Sequence, residues 1–273
     1  MFKGIDISEF QTNVNYAALK NDVDFVMIRA GYGKNNIDAC AFQHIRGCKE
    51  NGIPFGLFWF SYAYTPEMSR KEADYLCDIA DDFAPDYPLA FDYEYASDDY
   101  AKRCGYNLTN SERQEIAKAF LYRVEERGYY AMNYTNPDYM TKGFSGLTAR
   151  FDTWLAEWDV SEPSYNCGIW QNTNSKRVDG ISGSVDGDIA YKNYIALCSG
   201  EEDVPACVLT ETDKERILSI LADDFWKAYI KLANDIIDGK YGNGDVRKKN
   251  IEALGYDYSI AQTIVNYILG VKG

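Results

Sequence analysis

Short apolar runs punctuate the first two thirds of the chain at even intervals, and polar stretches of helical period separate them. Asp24-Phe25-Val26-Met27-Ile28-Arg29-Ala30 is apolar almost throughout, as strands buried on both faces of a parallel sheet are. Lys3 to Ser8, Pro54 to Tyr64, Pro88 to Tyr95 and Tyr129 to Tyr134 read as further strands. Between them, helices are predicted over Asn15 to Asn21, Asp38 to Asn51 with Gly52 as C-cap, Pro66 to Asp82, and Thr109 to Arg127. Three more short strands follow with little helix between them: Thr153 to Trp158, Cys167 to Gln171 and Ser184 to Tyr191. This order predicts an α/β fold, an irregular (β/α) barrel of five βα units and then three strands with little helix. A doubly wound open sheet is the other choice, but no Gly-rich phosphate loop follows the first strand.

The pattern changes after Tyr194. Residues 1–196 form the predicted barrel domain. Residues 197–226, with Ser-Gly, Glu-Glu-Asp and Pro205, read as a linker, helical over Thr212 to Asp223. Residues 227–273 read as three short helices, running to Asp238, from Asp245 to Leu254 and from Ser259 to Leu269. Ile230, Ala233, Ile237, Ile251, Leu254, Ile264, Val265 and Ile268 have helical spacing and are its expected core. So small a core is marginal, which suggests a unit that docks or binds.

The chemistry centres on Pro88-Leu89-Ala90-Phe91-Asp92-Tyr93-Glu94-Tyr95. On a strand, Asp92 and Glu94 share one face with their Cα atoms about 6.6 Å apart, at about 3.3 Å per residue. Two carboxylates on an otherwise apolar strand cost free energy unless they are used or paired. Such a pair can supply a proton donor with raised pKa beside an ionised carboxylate, the division of labour of glycosidases. A solvated edge strand or a divalent-cation site is the alternative. In a barrel, chemistry sits at the C-terminal ends of the strands. Asp6, Ser8, Tyr62, Tyr64, Tyr134, Glu157, Trp158, Gln171, Asp186 and Asp188 fall there as well. Acids and aromatics converge with no basic cluster, which suits a neutral polyhydroxylated ligand.

Composition narrows the field. The formal charge of −14 argues against nucleic acid and anionic membranes. No run approaches the roughly 20 apolar residues that span a bilayer. The start, Met1-Phe2-Lys3-Gly4, has no signal-peptide layout, so synthesis in the cytoplasm or removal of a leader is expected. The seven cysteines lack a CxxC spacing and read as mostly reduced packing residues, with a Cys198–Cys207 bridge open in an oxidising medium. The single histidine, His44, lies in a predicted helix and reads as structural. No metal and no cofactor is expected. The 23 tyrosines suit surfaces that stack on sugars, though many will be ordinary core and rim residues.

Six stretches then carry a resemblance. They are Gly4-Ile5-Asp6-Ile7-Ser8-Glu9-Phe10-Gln11, Val26-Met27-Ile28-Arg29-Ala30-Gly31-Tyr32-Gly33, Phe58-Trp59-Phe60-Ser61-Tyr62-Ala63, Phe91-Asp92-Tyr93-Glu94, Leu155-Ala156-Glu157-Trp158 and Ile169-Trp170-Gln171. In this order and spacing, residues 1 to 194 resemble glycoside hydrolase family 25, the Chalaropsis-type lysozymes. Gly183-Ser184-Val185-Asp186-Gly187-Asp188-Ile189 resembles the closing Val-Asp strand of that family, with either Asp186 or Asp188 as the matching acid. The run Asp238 to Lys248 and the turn Gly255-Tyr256-Asp257-Tyr258 resemble the Cpl-seven type cell-wall-binding repeat, here in one copy.

The resemblance implies a muramidase cutting the β-1,4 bond between N-acetylmuramic acid and N-acetylglucosamine in peptidoglycan. Glu94 would be the general acid, Asp92 a stabilising or orienting carboxylate, and Asp6 and Asp186 the rest of an anionic cup. Tyr62, Tyr134, Trp158, Gln171 and Asp188 would contact substrate. Arg247, Asp257 and Tyr258 would serve the repeat in wall binding. A phage or prophage endolysin is the expected setting, released to the wall through a phage-made hole. A chitinase-like glycosidase and a non-catalytic wall-binding protein are the competing readings. The repeat counts against the first, and the intact acids count against the second.

Overall fold

Eight strands close on themselves in the computed structural model, which describes residues 1–200, 224–237, 240–241, 244–256, 258, 261–262 and 264–265. The strands are β1 (Phe2–Ile7), β2 (Phe25–Tyr32), β3 (Asn36–Ile37), β4 (Phe55–Phe60), β5 (Leu89–Asp92), β6 (Ala131–Thr135), β7 (Asp152–Ala156), β8 (Ile169–Lys176) and β9 (Val185–Ala190). Short β3 folds back on β2 and stays outside the ring. The order is β1-β9-β8-β7-β6-β5-β4-β2, and parallel pairing of β1 with β2 closes it. All ring neighbours are parallel except β9, which runs antiparallel to both β8 and β1. The first residues of β9 therefore lie level with the C-terminal ends of the other strands.

The helices are α1 (Tyr16–Leu19), α2 (Ala41–Asn51), α3 (Pro66–Phe83), α4 (Tyr95–Arg103), α5 (Asn110–Glu126), α6 (Pro137–Thr141) and α7 (Tyr194–Ser199), with a 3₁₀ turn at Phe144–Leu147. Their limits follow local chemistry. Thr65 caps α3 by accepting from Met68 N at 3.3 Å, and Pro66 supplies the preset first turn. Thr109 and Glu112 form a reciprocal capping box on α5. Gly52 ends α2 at φ 65°, where a side chain would be strained.

Strand alternation sorts the core into two layers. Ile5, Ile7, Val26, Ile28, Leu57, Leu89 and Phe91 face outward onto the helices. Phe25, Met27, Phe58, Ala90, Met132, Trp154 and Ile169 fill the barrel interior. One end of that interior is sealed by Phe25 stacked on Tyr87, ring centroids 4.5 Å apart. The same inward-facing positions continue toward the other end as Asp6, Asp92, Gln171, Asp186 and Asp188. The interior thus grades from apolar to acidic along its axis.

The structure corrects two strands. The run expected over Pro88 to Tyr95 stops at Asp92, and Glu94 begins α4. The run expected over Pro54 to Tyr64 stops at Phe60.

The chain divides into two compact units, residues 1–203 and 204–273. In the second, α8 (Asp224–Ile237) and α9 (Gly244–Ala253) contribute to a core of Tyr229, Leu232, Ala233, Ile236, Ile251, Ala261 and Val265. Ile230, Ile237 and Leu254 are exposed instead of buried, because the buried stripe runs one position earlier through Tyr229 and Ile236. Ile268 and the helix expected over Thr212 to Asp223 lie outside the described residues.

Candidate active site

Glu94 reaches the site as the N-cap of a helix. Its backbone N–H donates to Ser97 Oγ at 3.1 Å, which fixes the turn between β5 and α4. The helix is anchored one turn later by buried Asp98. Asp98 accepts from Tyr93 Oη at 2.9 Å, Tyr139 Oη at 2.9 Å and Arg113 Nε at 2.8 Å. Tyr93 separates Asp92 from Glu94 in the chain, so this anchor fixes both carboxyls.

Asp92 and Glu94 line one pocket of about 170 Å³ together with Asp6, Asp186, Tyr134 and Gln171. Asp92 is buried, and one of its carboxyl oxygens has no partner. The carboxyls of Asp92 and Glu94 contact each other by a shared hydrogen bond. Burial is the main cause raising both pKa values. The charge of Glu94 pushes Asp92 up further, and Asp186 does the same to Glu94. Both carboxyls therefore hold their protons to higher pH than free carboxyls do.

A second carboxyl group faces them. Asp6 and Asp186 are direct cross-strand partners on β1 and β9. Asp188 lies deeper on the same face of β9, accepts from Trp154 Nε1 at 2.8 Å and hydrogen-bonds Asp6. Burial first, then Asp188 and Asp186, raise Asp6, while burial pushes Asp188 up to about 7. Asp186 lines the pocket and Asp188 lies beneath it, so geometry separates two acids that strand alternation leaves equivalent.

Gln171 ties the wall together. Its amide donates to Asp6 Oδ2 at 2.8 Å, and its carbonyl accepts from Tyr134 Oη and Trp158 Nε1, each at 3.2 Å. Burial, then the charges of Glu94 and Asp92, keep the Tyr134 phenol protonated. Trp158 stands partly exposed. Tyr62 is not brought into the acidic pocket and lines neighbouring hollows instead. Glu157 turns away to accept from Ser164 N at 2.7 Å.

No basic cluster is present, as expected, but one basic residue, Arg29, lines the same pocket. Its guanidinium bridges Glu9 and buried Asp38, each at 2.8 Å, and its charge lowers the pKa of Asp92. Phe10, 76% exposed, lies 5.3 Å from that guanidinium and lines the pocket too. A single arginine in apolar β2, and an aromatic in the loop after β1, give no periodic signal, so sequence reasoning assigned neither a role.

His44 is fully buried away from the pocket. Its Nε2–H donates to Ser8 O at 2.9 Å, so Nδ1 accepts from Tyr16 Oη at 2.8 Å. Burial lowers its pKa and holds it neutral. The six described cysteines are free, and Cys207 lies outside the described residues. Among the described residues, no group of three His, Cys, Asp or Glu is disposed to hold a metal ion. Of the expected wall-binding residues, Arg247 follows the first turn of α9, Tyr258 Oη donates to Gln262 Oε1 at 3.2 Å, and Asp257 lies outside the described residues.

Comparison with known proteins gives consistent matches. The model of Glycosyl hydrolases family 25 matches residues 5–181, well over half of the chain. The CW_7 repeat model matches residues 231–269. Lysozyme M1 of Streptomyces globisporus is 26% identical over 197 residues, 67% of this chain and 66% of its own length, just under two thirds. The catalytic domain of endolysin ply40 from bacteriophage P40 of Listeria monocytogenes superposes with a TM-score of 0.61 at 24% identity, over 72% of this chain and 96% of that one. A bacterial lysozyme from Streptomyces coelicolor superposes with a TM-score of 0.60 at 21% identity, over 73% and 98%. Both structures share the fold.

Proposed function

The chain belongs to glycosyl hydrolase family 25, and on that premise we propose that it hydrolyses peptidoglycan. It acts as a muramidase, at the β-1,4 bond between N-acetylmuramic acid and N-acetylglucosamine. The observation that carries this reading is the contacting carboxyl pair of Asp92 and Glu94 in a pocket shared with Asp6 and Asp186 at the acidic end of the barrel. Glu94, the less buried partner, donates a proton to the glycosidic oxygen as the bond breaks. That leaves Glu94 ionised; Asp92, ionised beside it, stabilises the oxocarbenium-like sugar or orients its acetamido group, and water adds to the sugar carbon and returns a proton to the carboxyl pair. Asp6 and Asp186 surround the same space with acidic charge aimed where positive charge develops. Tyr134, Gln171 and Trp158 present a phenol, an amide and an indole for sugar hydroxyls and ring faces, with Asp188 supporting Asp6 from below. Tyr62 contacts substrate farther out.

Residues 1–196 are the hydrolase domain in this account and residues 227–273 a wall-binding domain, joined by 197–226. A single CW_7 repeat raises the local concentration of the hydrolase at the wall, with Arg247, Asp257 and Tyr258 as its contacts. Among the described residues no helix is long and apolar enough to cross a membrane. Likeness to a phage endolysin supports a phage or prophage lysis enzyme that reaches the wall from the cytoplasm after membrane perforation. The repeat weighs against a chitin substrate.

Release of new reducing ends from purified peptidoglycan tests the assignment. The parent chain releases them, and Glu94→Gln lowers the rate by about 10² to 10⁴-fold with the fold intact. Equal release by both would remove Glu94 from the role of acid.

A further inference from the structure

The acidic pocket is one end of a longer trough. It shares Phe10, Arg29 and Phe60 with a neighbouring hollow, which shares Tyr62 with a third of about 340 Å³. A row of rings runs along it: Phe60 to Tyr62 at 5.2 Å, Tyr62 to Tyr100 at 5.1 Å, and Tyr64 stacked on Tyr106 at 4.4 Å. Tyr100 sits on α4, the helix that Glu94 opens, so the catalytic acid and the far wall belong to one rigid element.

The far pocket has its own electrostatics. Lys34 and Lys71 line it, where carboxylates line the catalytic pocket. Lys34 sits at the tip of the β2–β3 hairpin and has no ion-pair partner among the described residues. That hairpin is pinned by Trp59 Nε1 donating to Gly33 O at 3.1 Å and by Gly33 N donating to Phe60 O at 2.9 Å. Gly33 has φ 52°, and a Cβ there would approach Tyr62 to 3.1 Å, so glycine lets the turn close over the rings. Lys71 pairs with Glu67 at 2.7 Å on the exposed surface. Glu72 forms the floor, its oxygens taken by Ser61 Oγ at 2.5 Å and Tyr62 N at 3.1 Å. Burial pushes Glu72 up to about 7, which weakens the one negative charge lining the pocket.

We infer that the pocket beyond Tyr62 holds the anionic peptide stem of the substrate while the sugar to which the stem is attached occupies the acidic pocket. This rests on the reading of the substrate as peptidoglycan. The glycan itself is neutral at its ring hydroxyls, whereas the stem carries free carboxylates and a row of peptide carbonyls. Lys34 meets the carboxylates, and the tyrosine hydroxyls of the ring row donate to the carbonyls. A stem of about four extended residues spans about 13 Å, enough to run out of one pocket into the next.

The test compares kcat/KM of the full chain on soluble glycan strands that carry peptide stems with that on the same strands after an amidase has removed the stems. The parent prefers the stem-bearing strands. Lys34→Glu, a change at an exposed hairpin tip, cuts that preference roughly fivefold through KM, and Lys34→Arg retains it. An equal fall on both substrates would overturn the inference by making the trough a glycan subsite. No change on either would also overturn it. Failure of the parent chain on both substrates would remove the hydrolase reading, and this inference with it.

Discussion

Asp6 on β1 and Asp186 on β9 face each other as cross-strand partners where the antiparallel strand closes the barrel. Like charges directly opposite destabilise a sheet, and Asp188 adds a third carboxyl two residues deeper on the same face. The closure of the fold and the acidity of the site are therefore one feature. Folding buries these carboxyls together: burial is the main cause raising all three pKa values, and neighbouring carboxylates raise Asp6 and Asp188 further.

That cost has a sign in pH. An unfolded aspartate titrates near about 3.9, whereas folded Asp188 titrates at about 7. Between those values the folded state holds a proton that the unfolded state has lost. This contribution to stability is complete below the unfolded pKa and fades as pH rises through the folded one. The melting temperature should fall as pH rises from about 4 to about 7, and Asp188→Asn should flatten the slope. A full slope in that variant would place its source elsewhere.

Arg29 lies between two carboxylates, one of them the buried Asp38. Arg29→Met strands Asp38 beneath the rim and should cost about 3 kcal/mol in denaturant unfolding. It also removes the charge that lowers the Asp92 pKa, so the pH–rate profile should move to higher pH. Loss of stability with an unmoved profile would confine Arg29 to scaffolding.

Asp98 acts on the reaction through α4. Asp98→Asn keeps an acceptor for the tyrosines but loses the ion pair with Arg113. A stability loss of about 2 kcal/mol is expected, with kcat on stem-free glycan strands falling while KM holds, because Glu94 shifts and the sugar contacts do not. A change in KM alone would contradict this positioning role.

The barrel was legible because its strands are largely continuous apolar runs and several helices carry a start or stop signal, such as Pro66 for α3 and Gly52 for α2. The pairing of Asp92 with Glu94 was legible too, although its stated cause was wrong. Strand alternation put both on one face, but the strand ends between them and a helix carries Glu94. Helix α4 was hidden because Tyr95-Ala96-Ser97-Asp98-Asp99-Tyr100 has no apolar stripe and is rich in poor helix formers. It is held by the tertiary bonds of Asp98, which local pattern cannot show. Arg29 escaped for the same reason, since its partners come from distant parts of the chain. In the C-terminal unit Ala233, Ile251 and Val265 are buried as expected, whereas on α8 Tyr229 and Ile236 are buried in place of Ile230 and Ile237.

The central claim is the bond that is cut. Purified peptidoglycan digested by the full chain, reduced with borohydride and examined by mass spectrometry identifies the new ends directly. Reduced N-acetylmuramic acid at those ends is the result this account predicts. Reduced N-acetylglucosamine, or no new ends from wall that the protein still binds, would contradict it.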